Sequence, residues 1–125
     1  MPDSDPRLER LYDYTKFHIG IYLLAAGAMV TIAGSAELRS FFSSLMQNRL
    51  LLWGAIGAMG IAGAAGGVIA STCAISGTLE EVWDSRIGPW RLRIMPGRRW
   101  AALEHTAFWA SAGLFTLALL LPGRS

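Results

Sequence analysis

Charge is missing from three long stretches of this chain, and that constrains the fold more than any other feature. Residues 17–36 carry no charged side chain apart from a possible imidazolium at His18. Residues 50–79 carry none, and residues 105–123 carry none apart from His105. Each stretch is near or above the ~20 apolar residues that a helix needs to cross a hydrocarbon layer of about 30 Å. A hydrophobic content of 53% with 16% charged residues would also suit a soluble domain, but not when the apolar residues fall into three blocks. The sequence therefore predicts an all-α membrane protein with three transmembrane helices, over residues 17–36, 50–75 and 101–121.

Lysine and arginine set the expected orientation. The tail 1–16 holds Arg7, Arg10 and Lys16, and the loop 76–100 holds Arg86, Arg91, Arg93, Arg98 and Arg99. These two segments share one side. Arg39 and Arg49 in the loop 37–49, with Arg124 in the tail 122–125, lie on the other. The excess of positive charge puts the N-terminus in the cytoplasm and points to a bacterial inner membrane. The first segment lacks a clean cleavage signature and is expected to remain as an anchor. Pro2, Pro6, Asp3 and Asp5 suggest a loosely bound tail over residues 1–10, while Leu8, Leu11, Tyr12 and Thr15 have helical spacing that allows the first helix to begin before the membrane. The net charge of +2 is read as a topology signal, with no nucleic acid as partner.

The second hydrophobic segment is built from small residues. From Gly54 to Ala74 only Ile56, Met59, Ile61, Val68 and Ile69 are bulky. Small residues mark where helix backbones approach closely in lipid, so this Gly/Ala-rich helix is expected to sit between neighbours. Gly54, Gly57, Gly60, Gly63 and Gly66 step by three and wind around it, and Gly63 with Gly67 makes a GxxxG match. In the first segment Gly20, Gly27 and Gly34 line one face, nearly opposite His18, Tyr22, Ala25 and Met29. In the third, Ala102, Thr106, Ala110 and Gly113 form a small strip, with Glu104, Phe108, Ser111 and Phe115 on the far side. One bundle of three cannot bury both faces of the outer helices. The surplus surface predicts a homo-oligomer or a larger complex of membrane subunits.

The loop 76–100 starts acidic and ends basic, with Trp83, Trp90 and Trp100 interleaved among Arg91, Arg93, Arg98 and Arg99. Indoles at headgroup depth and guanidiniums on lipid phosphate give an interfacial loop that contacts anionic lipid or a docking partner. On the opposite side, Phe41, Phe42, Leu45 and Met46 are expected to dip into the interface, and Trp53 sits at belt depth.

Three titratable residues fall near one membrane boundary. Glu104 is expected to be a buried polar group, favoured by the start of the third helix or paired with Lys16, His18, Arg98 or Arg99. His18 and His105, on different helices at one depth, could ligate a haem, although no cofactor is the leading expectation. A zinc site from His18, Cys73, His105 and Glu104 is chemically allowed but has no local ligand spacing. The single cysteine, Cys73, excludes an intramolecular disulfide.

No nucleophile elbow, phosphate-binding loop or carboxylate pair points to an enzyme. The expected function is that of a non-catalytic accessory or assembly subunit of a membrane complex, acting through helix packing. A haem-binding anchor of an electron-transfer enzyme and a small homo-oligomeric channel or transporter are the alternatives.

Overall fold

The computed structural model describes residues 5–122, and 82% of it is helical. Three long helices dominate: α1 (Pro6–Gly34), α4 (Arg49–Cys73) and α6 (Gly97–Leu120). All three are long and apolar enough to cross a membrane, which supports a multi-pass membrane protein. Two short helices, α2 (Ala36–Phe41) and α3 (Ser43–Gln47), connect α1 to α4. Between α4 and α6 the chain forms α5 (Leu79–Trp83), then strands β1 (Arg86–Ile87) and β2 (Met95–Pro96) paired antiparallel.

α4 lies between its two long neighbours and packs along both. A seven-residue interval runs through the buried positions of each long helix. In α1 the buried residues are Leu8, Thr15, Tyr22 and Met29, each seven after the last. In α6 Gly97, Glu104, Ser111 and Ala118 repeat the interval, joined by Ala107. α4 buries a seam of Leu52, Ala55, Met59, Ala62, Gly66, Ile69 and Cys73, alternating steps of three and four, and beside it, toward its C-terminal end, Ala65, Val68 and Ala70. Such a seam matches a left-handed crossing of antiparallel helices with side chains interlocking. Alanine, more than glycine, fills the α4 seam.

The small-residue strips take the other option. Gly20, Gly27 and Gly34 lie two residues, or ~200°, from Tyr22 and Met29 and face outward, where an added Cβ would meet nothing within 4 Å. Gly57, Gly60, Gly67 and Gly113 have the same open surroundings, and Ala102, Thr106 and Ala110 are exposed. Close approach within the chain occurs elsewhere. A Cβ on Gly54 would stand 3.4 Å from Leu114, one on Gly63 4.0 Å from Tyr22, and one on Gly66 3.1 Å from Ile19.

Several expected boundaries move. α1 begins at Pro6, so residues 6–10 are helical where a loose tail is expected; residues 1–4 lie outside the described residues. Proline at the first position is pre-set for a helix, and the Asp5 side chain caps it by accepting from the Arg7 N–H at 3.0 Å. Leu45 is fully buried in the core instead of facing the interface, while Phe41 remains exposed. The connector is pinned by Asn48, whose amide donates to the carbonyls of Ser44, Ala118 and Leu121 at 3.0–3.2 Å. The last two are carbonyls at the end of α6 that the helix itself cannot satisfy.

The segment between α4 and α6 is folded onto the bundle. Asp5 accepts the Leu79 N–H at 3.1 Å, and Arg7 pairs with Glu80 at 2.8 Å. Trp100 donates its indole N–H to the Ile87 carbonyl at 2.9 Å. Gly97 lies against the backbone carbonyl of Val82, leaving no room for a side chain. Leu8, Val68, Ile69, Cys73, Val82 and Ile87 form a cluster at this end of the bundle. A larger cluster built on Tyr22, Met29, Leu52, Met59 and Ala62 fills the rest.

Candidate functional site

Between the two apolar clusters the chain places a polar layer. Thr15 and Glu104 are both only 1% exposed, and neither belongs to a cluster. Thr15 is satisfied locally, donating to the Leu11 carbonyl at 2.7 Å. Glu104 accepts from the Tyr22 hydroxyl at 2.8 Å, which bridges α6 to α1. Gly66 of α4 leaves the space that the carboxyl fills: a Cβ there would lie 3.5 Å from Glu104 Cδ and Oε1. No cation pairs with Glu104 among the described residues. The expected partners Lys16, His18, Arg98 and Arg99 are thus replaced by a phenol. The helix-start explanation also gives way, because α6 begins at Gly97 and Glu104 sits about two turns in, past the free N–H groups.

An aromatic group extends this layer toward the loop end. Tyr14, His18 and Tyr22 follow one another at i, i+4 and i+8 along one side of α1. Tyr14 packs against His18 with tilted rings and centroids 3.9 Å apart, and its hydroxyl lies 3.2 Å from His105 Nε2. The His18 and His105 ring centroids are 6.4 Å apart. Each histidine bonds through Nδ1 with the carbonyl four residues earlier, Tyr14 and Ala101 respectively, at 2.8 Å. A ring held by Nδ1–H on a carbonyl presents its Nε2 lone pair to a ligand. Tyr22 packs on Phe108 at 5.5 Å.

The structure thus brings His18 and His105 together, with Glu104 adjacent but turned into the core. Cys73 is buried in the separate cluster nearer the loop. Among the described residues no three His, Cys, Asp or Glu side chains converge, so the set His18, Cys73, His105 and Glu104 is not one site.

The loop residues divide. Trp100 and Trp83 are partly buried, while Trp90 is 91% exposed. Arg98 pairs with Asp84 at 3.5 Å, Arg99 is exposed, and Arg91 and Arg93 line a cavity with Arg86. Trp90 and Arg91 have φ of 51° and 62°, a left-handed conformation that costs bulky residues about 1–3 kcal/mol each. Outside the bundle, the Arg7 guanidinium bonded to Asp5, aided by the Leu79 and Arg7 N–H groups, holds the Asp5 carboxyl at about 2.

Two contributors were hard to read from sequence. Gly66 is one more glycine in a glycine row, and only its three-four spacing with Met59, Ala62, Ile69 and Cys73 marks it as inward. Tyr22 has a four-residue spacing from His18 that places it on the same side of α1, but nothing in that spacing pairs it with Glu104. No protein family, curated protein or solved structure matches the chain.

Proposed function

We propose that this protein is a multi-pass subunit of a bacterial inner membrane, N-terminus in the cytoplasm, that works through helix packing inside a larger assembly and has no catalysis of its own. The observation that carries the reading is the double use of seven-residue spacing in α1. One set, Tyr22 and Met29 among it, is spent on the bundle. The other, Gly20, Gly27 and Gly34, is turned outward with open space above it. A smooth glycine face lets another helix backbone approach closely, where dispersion and Cα–H contacts replace the missing hydrophobic drive. Gly57 and Gly60 on α4 and Gly113 on α6 offer further smooth surface.

Gentle extraction from the host membrane followed by native mass spectrometry tests it. The expected result is a complex with other subunits or further copies, lost in Gly27→Leu while the monomer stays folded. A monomer in both proteins would end the proposal.

The two imidazoles support a second reading, a haem-binding anchor of an electron-transfer complex. His18 and His105 would hold the haem iron through Nε2, each ring being fixed through Nδ1 and the two centroids lying 6.4 Å apart, and the iron would supply the electron transfer. Tyr14 must swing away from His105 for this. A Soret band abolished by His18→Ala would support the haem, and colourless protein from haem-replete cells would discard it.

A further inference from the structure

We propose that the cavity between the end of α4 and the β1–β2 segment seats the phosphate of an anionic glycerophospholipid, held by Arg86, Arg91 and Arg93. This sharpens the lipid contact expected of the whole loop, and it rests on the membrane reading but not on assembly.

The cavity has a volume of about 310 Å³, and all three arginines line it. No carboxylate answers them among the described residues. The nearby acids are engaged elsewhere: Glu80 with Arg7, Asp84 with Arg98, and Glu81 with the Gly77 N–H at 2.8 Å. Arginines lining one space favour an anion there, and guanidinium forks match phosphate oxygens geometrically.

The other walls say which anion. Ser71 and Thr72 both donate their hydroxyl protons to the Val68 carbonyl, so recognition falls to the guanidiniums. The rest of the rim is apolar and open: Ile75 is 70% exposed, Leu92 54% and Trp90 91%. Free phosphate has no use for that surface, whereas the glycerol backbone and first methylenes of a lipid do. The position agrees, because the cavity meets the last turn of α4, at the depth where a spanning helix reaches the headgroups. The left-handed backbone at Trp90 and Arg91 carries the chain around the mouth, with an indole and a guanidinium in succession.

The full chain, delipidated in detergent, is titrated with phosphatidylglycerol or phosphatidylcholine of the same acyl chains and read by native mass spectrometry. One phosphatidylglycerol should bind in preference, and R86Q/R91Q/R93Q should weaken it at least tenfold. R39Q/R49Q, which removes two arginines at the opposite end of the bundle, should leave it unchanged. Should the triple variant lose its helical circular dichroism, Arg93→Gln alone should still weaken binding at least threefold. Equal binding in the folded arginine variants, or equal binding of the two lipids, overturns the proposal. Displacement by glycerol 3-phosphate or inorganic phosphate would reassign the cavity to a soluble ligand, and displacement by a polyglutamate peptide would reassign it to an acidic protein. Retained lipid selectivity in a protein that never assembles would separate this site from the subunit reading.

Discussion

Removing the Tyr22 hydroxyl is the sharpest perturbation of the bundle. Tyr22→Phe keeps the ring, which is 2% exposed and packed on Phe108, and deletes only the donor to Glu104. Glu104 is 1% exposed, with Gly66 against its carboxyl, so the layer has no evident room for a replacing water. An acceptor orphaned in a protein interior costs about 1–3 kcal/mol. Interhelical hydrogen bonds in membranes average nearer ~0.6 kcal/mol and reach ~1.7, because the unfolded chain in lipid finds other partners. The burial on all sides argues for the upper part of that range, about 1.5 kcal/mol. Reversible unfolding in mixed micelles, followed by tryptophan fluorescence, measures it. A double-mutant cycle with Glu104→Leu isolates the pair: once the carboxyl is gone, Tyr22→Phe should cost less than half as much. A loss below ~0.5 kcal/mol with Glu104 in place, or equal losses with and without the carboxyl, would refute the reasoning.

The two kinds of glycine should separate cleanly. Gly66→Leu forces side-chain atoms onto Ile19 and Glu104 and should cost the monomer about 1–3 kcal/mol as overpacking, read in the same unfolding assay. Gly27→Leu should leave the monomer as stable or slightly more so, since it meets nothing and improves helix propensity. Gly97→Ala should run against the usual gain of ~0.4–1 kcal/mol for such a change, because the methyl meets the Val82 carbonyl; faster amide exchange over Leu79–Trp83 would report the undocked α5. Asp5 predicts an acid transition. Its carboxyl is lowered from 3.8 to about 2 in the folded protein, so its contribution is complete above the unfolded value and disappears as pH falls through about 2. Protection of the Leu79 amide, taken relative to its intrinsic exchange rate, should fall over that range, and Asp5→Asn should remove that step.

How far the sequence could be read depends on the kind of information each feature carries. The long helices were legible because length and missing charge are properties of one segment. So was the depth shared by His18 and His105, which follows from their place at segment ends. Which face of each outer helix turns inward was not legible: Gly20–Gly27–Gly34 and the His18–Tyr22–Met29 side are equally regular, and burial depends on what α4 presents. An early start of α1 was legible in the spacing of Leu8, Leu11, Tyr12 and Thr15, but its firm reach to Pro6 depended on a cap at Asp5 and on Leu8 joining Val68, Ile69 and Val82, residues far along the chain. The arginines of the loop read as one basic run. Only folding separates Arg98, neutralised by Asp84, from the three that share a cavity.

The shared seven-residue interval leaves the bundle with an alignment problem that its polar layer answers. A helix whose buried positions recur every seven residues can slide by one repeat and still present a buried set. Were α6 to slide in this way against α1, Ser111 or Gly97 would take the place of Glu104 opposite Tyr22. The Tyr22 hydroxyl would then lose its acceptor, and the carboxyl would be carried toward one of the two apolar clusters. Alanine and glycine set how near the helices come, but they are nearly blind to such a slip. The Tyr22–Glu104 pair is the notch that lets only one of the equally spaced alignments lock.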